Sequence, residues 1–290
     1  ELSIRKAIEL KPNFATAFHS LSTLNYSNKN QIWQDQLFSE NILKNNSKKD
    51  QIDIYFARAN ILHKEKNYKE SARYLELANE LKLILNPSKP DILINKSQSL
   101  LVESQKTDIN QKENKKYPQS IFIVGMPRSG STLIESILSM NTSVKDLGEI
   151  NIFEESFEEQ RKNSEGSTLA KLYLQRVNNE EEEWKITTNK WLYNYQYTGI
   201  IASHIPNVII IHSFRNPLDN ILSIYRANFA KGNKYSSSLI DCAKVYLNHE
   251  NIMTKYKNKF RSNIYDLNYD LLVSNPKEEI QSLTSWLGWE

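Results

Sequence analysis

The chain has 290 residues, of which 39% are hydrophobic and 24% charged, and its formal net charge is +3. These values are typical of globular proteins, and the small net charge gives no argument for a nucleic-acid partner. The single cysteine, Cys242, excludes internal disulfides and a cysteine-based zinc cluster, and no run of about 18 apolar residues is present to form a transmembrane segment.

Residues 1 to 85 show helical periodicity and almost no strand signal. In "KAIELKPNFATAFHSLSTL", small residues, a proline and an aromatic residue fall at the spacings of a tetratricopeptide repeat of about 34 residues. A second copy, "YFARANILHKEKNYKESARYLELANELK", places Ala59, Ser71 and Ala78 where paired helices approach closely. Between the copies, "NNSKKD" is typical of a loop. We predict an all-helical tetratricopeptide-repeat region, which is either a platform for a protein partner or a packing collar for the neighbouring domain.

Residues 86–118 are predicted to be a connector with a proline-punctuated turn, a short helix over 92–102 and the polar stretch "KTDINQKENKKYPQ". Over 119–290, strands alternate with helices, and "FIV" and "VIII" are apolar runs typical of buried parallel strands. The predicted strands are Ser120–Val124, Val144–Leu147, Lys185–Thr188, Val208–His212 and Asn263–Leu267. The predicted helices are Ser131–Met140, Asn151–Arg161, Thr168–Asn178, Tyr193–His204, Pro217–Phe229, Ser237–Lys257 and Pro276–Leu287. This pattern predicts a three-layer α/β domain with a P-loop-like parallel sheet.

The segment "IFIVGMPRSGST", from Ile121 to Thr132, predicts an anion site after the first strand. Backbone N–H groups at the start of a helix lack internal partners and bind anions, and Arg128 and three hydroxyl residues add donors. A nucleotide-hydrolysing loop, G-x-x-x-x-G-K-[ST], carries a lysine where this chain has Ser131. No carboxylate ends the strand "VIIIHSFR", where a magnesium-binding Asp would be expected. The loop therefore predicts a ligand whose phosphate is held and not cleaved, without a metal.

A second basic segment, "HSFRNPLDNILSIYRANF", follows a central strand. Arg215 leaves the end of that strand, Pro217 begins a helix, and Ser223 follows eight residues after Arg215. A guanidinium group with a nearby hydroxyl is suited to a second phosphate. His204, His212 and His249 have no spacing that indicates a metal site.

Together, "IFIVGMPRSGSTL" and "VIIIHSFRNPLDNILSIY" resemble the 5′-phosphosulfate loop and the 3′-phosphate segment of sulfotransferases that use 3′-phosphoadenosine-5′-phosphosulfate (PAPS). The resemblance is strongest to tyrosylprotein sulfotransferases and their bacterial relatives with tetratricopeptide repeats, and it covers residues 120–289. It implies the sulfotransferase fold and transfer of a sulfuryl group from PAPS to a hydroxyl acceptor, which could be a peptide tyrosine, a sugar or a small molecule. The product PAP would bind at the same site, and no metal is implied.

The resemblance also assigns roles to residues. The 5′ side of the donor would be held by Arg128, Ser129, Gly130, Ser131, Thr132 and Leu133, the 3′-phosphate by Arg215 and Ser223, and the adenosine side by Tyr269 in "IYDLNYDLLVSNP". Glu149 in "VKDLGEINIF" matches the general base, Lys190 in "ITTNKW" matches the residue that assists the leaving group, and Arg128 is counted with them as a catalytic cation.

These roles agree with the chemistry, because sulfuryl transfer needs a base for the acceptor hydroxyl and a donor for the charge that grows on the departing phosphate oxygen. The residues alone leave other interpretations open. Glu149 could stabilise the N-terminus of the helix "INIFEESF", and Lys190 could be an ordinary surface lysine. A divergent P-loop kinase or NTPase, or a repeat-based interaction protein with an inactive α/β domain, are the alternative functions.

The two ends of the chain indicate an excerpt of a longer protein. It opens in mid-helix without an initiating methionine and closes at Glu290 on "WLGWE". The resemblance implies a further loop beyond this point, so we expect the domain to be truncated there. The expected location is the cytoplasm.

Overall fold

The computed structural model describes residues 1–24, 32–106, 117–162, 167–178, 184–229 and 232–289. Most of the polar stretch "KTDINQKENKKYPQ" lies outside the described residues. The chain divides into two compact units. The first comprises Glu1–Pro90 and Leu222–Cys242, and the second comprises Asp91–Ile221 and Ala243–Glu290. Within the described ranges, no helix is both long enough and apolar enough to cross a bilayer.

Fifteen α-helices and five strands are assigned among the described residues. In chain order they are α1 (Leu2–Leu10), α2 (Ala15–Thr23), α3 (Ile32–Phe38), α4 (Glu40–Lys44), α5 (Lys48–Lys64), α6 (Tyr68–Leu85), α7 (Pro90–Gln105), β1 (Gln119–Gly125), α8 (Ser131–Leu138), β2 (Val144–Asp146), α9 (Ile152–Lys162), α10 (Leu169–Val177), β3 (Ile186–Asn189), α11 (Thr198–His204), β4 (Val208–Phe214), α12 (Pro217–Tyr225), α13 (Leu239–Lys259), β5 (Ile264–Asn268), α14 (Tyr269–Ser274) and α15 (Pro276–Trp286).

The first unit is helical, as the periodicity predicted. Helices α5 and α6 pack against each other through small residues, because Ala59 and Ala78 are buried and Ser71 Oγ donates a 2.8 Å hydrogen bond to the carbonyl oxygen of Ala59. Small side chains allow the two backbones to approach closely. The packing at these three positions is the one that the sequence predicts, while their membership of a tetratricopeptide repeat stays a prediction.

The segment "NNSKKD" is only partly a loop. Ser47 is the N-cap of α5, and its hydroxyl oxygen accepts a 3.2 Å hydrogen bond from the Asp50 backbone N–H. The same hydroxyl donates a 2.7 Å hydrogen bond to the Asp50 carboxylate. Residues 48–50 therefore form the first turn of α5, since the serine hydroxyl oxygen satisfies a free N–H group of the helix start.

Residues 222–242 complete the first unit and contain the end of α12, a 3₁₀ turn at Lys234–Ser237 and the start of α13. The amide of Asn79 in α6 donates to the carbonyl oxygen of Tyr225 at 3.1 Å, and the amide of Asn228 donates to the Asp53 carboxylate at 2.7 Å. Cys242 is fully buried on α13, as expected of a small apolar residue, and burial raises the pKa of its thiol to about 12.

The second unit contains one parallel sheet with the strand order β2-β3-β1-β4-β5. The sequence predicted all five strands within two residues of their ends, and the parallel α/β sheet is confirmed. Chain order reverses at β1, which pairs with β3 on one side and β4 on the other. In open parallel sheets, ligands bind at the carboxyl ends of the strands beside such a reversal.

Both faces of the sheet are covered by separate apolar clusters, which gives three layers. Phe122 and Val124 of β1 pack with Phe153 and Tyr173 on one face. Ile121 and Ile123 of the same strand pack on the other face, where the further cluster members are Ile134, Leu138, Ile211, Leu267, Leu272, Leu283 and Leu287. The alternation along β1 follows from the two-residue period of a strand, and the continuous apolar run follows from burial on both faces.

Two helix predictions differ from the structure, and one helix was missed. The predicted helix Tyr193–His204 begins as a 3₁₀ helix, Leu192–Tyr197, before α11. Helix α12 ends at Tyr225 and not at Phe229. Helix α14 was not predicted at all, although the side chain of Asn268 caps it by accepting hydrogen bonds from the backbone N–H groups of residues 270 and 271.

Candidate active site

The loop after β1 is held against the carboxyl end of β4. Gly125 has a φ of 151°, and a Cβ added there would overlap the backbone oxygen of Ser213. The hydroxyl of Ser213 donates a 2.8 Å hydrogen bond to the carbonyl oxygen of Ser129, and the amide of Asn220 donates a 3.0 Å bond to that of Pro127. Only glycine allows this close approach of β1 to β4.

The loop ends at Gly130, which is the N-cap of α8 and has a left-handed φ of 90°. A Cβ at Gly130 would overlap the ring of Tyr269, so the phenol packs directly on the loop. Arg128 is exposed, and its φ of 69° is uncommon for a residue with a long side chain. Such strained backbone often occurs at ligand sites. Ser131 is buried, while Thr132 and Leu133 are exposed on the first turn of α8.

Arg215 lies beside Tyr269. The centre of its guanidinium group is 5.1 Å from the centroid of the Tyr269 ring. Asp219 and Asp270 lie at 3.7 and 3.8 Å from its nitrogen atoms. Asp270 also accepts a 2.6 Å hydrogen bond from the backbone N–H of Asn216, which joins the ends of β4 and β5.

Within the described residues, two buried donors at this edge of the sheet, Ser129 Oγ and Arg215 Nε, make no hydrogen bond, although Asp270 Oδ1 lies 3.8 Å from Arg215 Nε. Buried polar groups are nearly always hydrogen-bonded in folded proteins. The Ser129 hydroxyl group is therefore available to donate to a bound anion.

Ser223 was predicted to act with Arg215. It lies on the part of α12 that belongs to the first unit, whereas Arg215 belongs to the second. The predicted pair therefore stays a prediction.

Glu149 and Lys190 are brought together by the pairing of β2 with β3. The backbone N–H of Lys190 donates a 3.0 Å hydrogen bond to the carbonyl oxygen of Gly148, which extends the ladder beyond β2. Gly148 has a φ of 68°, and its N–H donates a 2.6 Å bond to the Asp146 carboxylate. This turn places Glu149 beside the end of β3.

The Lys190 ammonium group joins the two parts of the site. It lies 2.9 Å from Glu149 Oε1 and donates a 3.2 Å hydrogen bond to Thr132 Oγ1 at the start of α8. Lys190 is only 5% exposed, so it is not an ordinary surface lysine. Burial lowers the pKa of Lys190, but the hydrogen bonds and charges of Glu149 and Glu135 outweigh it and hold the pKa above its usual value. Lys190 is therefore charged at neutral pH.

Glu135 is a site residue that the sequence analysis missed. It is 5% exposed on α8, and its Oε2 lies 3.3 Å from Lys190 Nζ. Burial raises the pKa of Glu135 to about 7; a hydrogen bond to Asp146 also raises it, and Lys190 opposes the change. One signal was available, because Glu135 follows Thr132 by three residues on a helix whose buried neighbours, Ile134 and Leu138, are apolar.

The fold also pairs two histidines whose spacing gave no signal. Their Nε2 atoms, in His212 and His249, lie 3.2 Å apart, and His212 Nδ1 lies 3.0 Å from the Asp266 carboxylate. The two ring groups and Glu250 lie close enough to be considered as metal ligands. However, Glu250 is next to Nδ1 of His249 while His212 is next to Nε2, so the three groups do not converge on one point. Burial lowers the pKa of His212 to about 4.

Comparison with known proteins places this geometry in a family. A model described as "Sulfotransferase family" matches residues 118–167 and 153–290. An uncharacterized protein from Aquifex aeolicus is 31% identical over 195 residues, which are 59% of this chain and 26% of that protein. This chain thus spans about a quarter of the length of that relative.

Two solved structures are also similar. The sulfotransferase domain from the curacin biosynthetic pathway is 17% identical, with 60% of this chain and 75% of that chain covered and a TM-score of 0.43. The sulfotransferase domain from the Synechococcus PCC 7002 olefin synthase is 16% identical, with 62% and 78% covered and a TM-score of 0.43. Because the family model matches more than half of the residues, the chain belongs to the sulfotransferase family.

Proposed function

We propose that this protein transfers a sulfuryl group from PAPS to a hydroxyl acceptor, with Glu149 as the general base and Lys190 as the group that assists the departing phosphate. PAPS supplies a sulfuryl group that is already activated by its bond to phosphate. The protein has to hold the donor, remove a proton from the acceptor and stabilise negative charge. Each of these tasks can be assigned to residues at one edge of the sheet.

The donor side consists of the loop after β1 and the ends of β4 and β5. The buried Ser129 hydroxyl group makes no hydrogen bond within the described residues, and Gly130 and Arg215 both lie beside the Tyr269 ring, which supports anion binding at this edge of the sheet. The start of α8 follows this loop, and a helix N-terminus favours a bound anion, which supports the 5′ side of the proposal. Arg128, Ser131, Thr132 and Leu133 belong to this 5′ side in the proposal. Ser223 would join Arg215 at the 3′-phosphate.

The chemical step is assigned to the Lys190 cluster, and the position of Lys190 is the observation that carries the proposal. Its ammonium group contacts both the Glu149 carboxylate, which follows β2, and the Thr132 hydroxyl group at the start of α8. Glu149 is exposed and can accept the proton of an incoming hydroxyl. Lys190 is charged and buried, so its N–H groups stabilise charge on a phosphate oxygen more strongly than a solvated lysine would. Arg128, exposed on the loop, is the second cation of the proposal.

Two finer points belong to the same proposal. The acceptor could be a peptide tyrosine, as in tyrosylprotein sulfotransferases, or a sugar or small molecule. The N-terminal helices would form a tetratricopeptide-type array that binds a protein partner, which is supported by the buried small residues between α5 and α6.

The experiment is a transfer assay with the full-length protein, PAPS and a mixture of tyrosine peptides, sugars and small phenols. Mass spectrometry of the mixture would reveal any acceptor that gains one SO₃ group. The proposal expects such a product, and expects it to form in the presence of a metal chelator. ATP turnover that requires magnesium, with no sulfated product, would defeat the proposal in favour of a nucleotide-hydrolysing enzyme.

A further inference from the structure

The buried carboxylate of Glu135 needs an explanation. On the described part of α8, the other residues turned to the core are Ile134, Leu138 and the small Ser131. Burying a charged carboxylate in such surroundings costs several kcal/mol unless partners compensate. The ion-pair partner of Glu135 is the Lys190 ammonium group at 3.3 Å, which belongs to the candidate site.

Lys190 is shared between a buried carboxylate and an exposed one. The side chain of Glu135 is 7% exposed, whereas that of Glu149 is 64% exposed. With Thr132 as the third partner, the three N–H groups of the ammonium each have an oxygen at 2.9 to 3.3 Å. A buried side chain has one conformation, but an exposed glutamate can rotate away. The ion pair of Lys190 with Glu135 is therefore fixed, whereas its ion pair with Glu149 can open, although the two distances are similar.

We propose that Glu135 is a positioning residue, which keeps the Lys190 ammonium group beside Thr132 when Glu149 leaves that ion pair to accept the proton of the hydroxyl substrate. This inference rests on the proposed sulfuryl transfer. Once Glu149 is protonated it no longer attracts Lys190. Among the described residues, Glu135 is the other carboxylate paired with the ammonium group, so Lys190 stays beside Thr132 at the start of α8 while charge grows on the departing oxygen.

This role acts on the chemical step and not on the binding of the donor, since Glu135 touches neither Arg215 nor Tyr269 in the contacts described above.

The charge on Glu135 is expected to change near neutral pH. The titratable groups that face it are Lys190 after β3, Asp146 at the end of β2 and, across the ammonium group, Glu149. When Glu135 takes up a proton, Lys190 loses its buried counterion, so kcat should fall on the acid side of about pH 7.

The test compares kcat and the KM for PAPS between about pH 5 and 9 for three full-length proteins. The first is wild type, the second is Glu135→Gln, which keeps the shape and removes the charge, and the third is Glu278→Gln, an exposed control on α15. We expect Glu135→Gln to lower kcat about 10- to 100-fold at pH 8, with KM for PAPS unchanged and the acid limb near pH 7 lost. Glu278→Gln should behave as wild type.

Two further measurements separate the possible failures. Unfolding of each variant is followed by circular dichroism, and Glu135→Asp, which keeps a titratable carboxyl group, should retain an acid limb. A folded Glu135→Gln variant with wild-type kcat and pH profile would overturn the positioning role of Glu135. The proposed function would still be supported in that case if Glu149→Gln abolishes sulfuryl transfer. Absence of sulfuryl transfer by wild type would instead overturn the proposed function, and the role of Glu135 with it.

Discussion

The ammonium group of Lys190 lies 2.9 Å from the carboxylate of Glu149, although 41 residues separate them in the chain. The contact exists because β2 and β3 are neighbours and end at the same edge of the sheet. The start of α8, with Thr132, lies at this edge too. An exposed carboxylate, a buried cation and the start of a helix are thus assembled from three separate segments. This arrangement is the physical basis of the proposed sulfuryl transfer.

Arg215 is expected to recognise the 3′-phosphate of the donor. In Arg215→Ala, the affinity for PAP should fall about 10- to 100-fold, because a hydrogen bond to a charged group contributes about 1.5–3 kcal/mol. The affinity for adenosine 5′-phosphate, which lacks the 3′-phosphate, should change much less. Isothermal titration calorimetry of both nucleotides with both proteins measures the difference.

Lys277→Ala is a suitable control for that measurement, since Lys277 is an exposed cation on α15. It removes the same net charge without touching the site. Equal losses for PAP and adenosine 5′-phosphate in Arg215→Ala would show that Arg215 does not read the 3′-phosphate.

Gly130 is expected to be intolerant of a side chain. Gly130→Ala should lower the free energy of unfolding by about 1–3 kcal/mol, because the residue has a left-handed φ and its Cβ would overlap the Tyr269 ring. The overlap depends on the Tyr269 ring. The double variant Gly130→Ala, Tyr269→Ala should therefore lose less free energy of unfolding than the sum of the losses in the two single variants. Urea denaturation of the four proteins gives the coupling. Strict additivity would mean that Tyr269 does not pack on the loop.

His212 is expected to make the free energy of unfolding depend on pH. The pKa of His212 is about 4 in the folded state, below the usual value of 6.5. The unfolded chain therefore binds more protons than the folded chain between these two pH values. The contribution of uncharged His212 to the free energy of unfolding is complete above about pH 6.5 and is lost as the pH falls toward 4. This loss amounts to about 3 kcal/mol at most.

Urea denaturation at several pH values measures this loss, and His212→Asn should flatten the dependence over that window. Asp266 contributes to the pH dependence of stability at pH values below the window of His212. Burial alone would raise the pKa of Asp266, but its hydrogen bonds to His212 and Lys257 hold that pKa well under its usual range. An unchanged slope in His212→Asn would show that another group is responsible.

The sequence predicts the sheet well because its signals are local. The runs "FIV" and "VIII" mark central strands, and the glycines of the loop after β1 mark the close approach to β4. Glu149 and Lys190 were chosen from a resemblance, and their contact depends on strand order, which no local pattern contains. Two helix starts were not predicted although their capping residues are visible in the sequence. Ser47 caps α5, whose first turn was predicted to be a loop, and Asn268 caps α14, which was not predicted.

Glu135 and the histidine pair could not be chosen from spacing alone. A single carboxylate among apolar residues indicates a buried partner, but the partner, Lys190, is 55 residues away on another strand end. His212 and His249 meet because α13 packs beside β4, and 37 residues separate them. Residues 222–242 belong to the same compact unit as the N-terminal helices. Spacing in the sequence does not indicate this either, because tertiary packing brings the two distant segments together.

The most direct test of the central claim is a double-mutant cycle on the rate of sulfuryl transfer from PAPS. Wild type, Glu149→Gln, Lys190→Gln and the double variant are compared at saturating donor. The account predicts a loss in kcat of about 10²–10⁴-fold for Glu149→Gln. It also predicts a double variant that is hardly slower than the more impaired single variant, because the two residues act as one unit. Wild-type rates in both single variants, or losses that multiply, would contradict it.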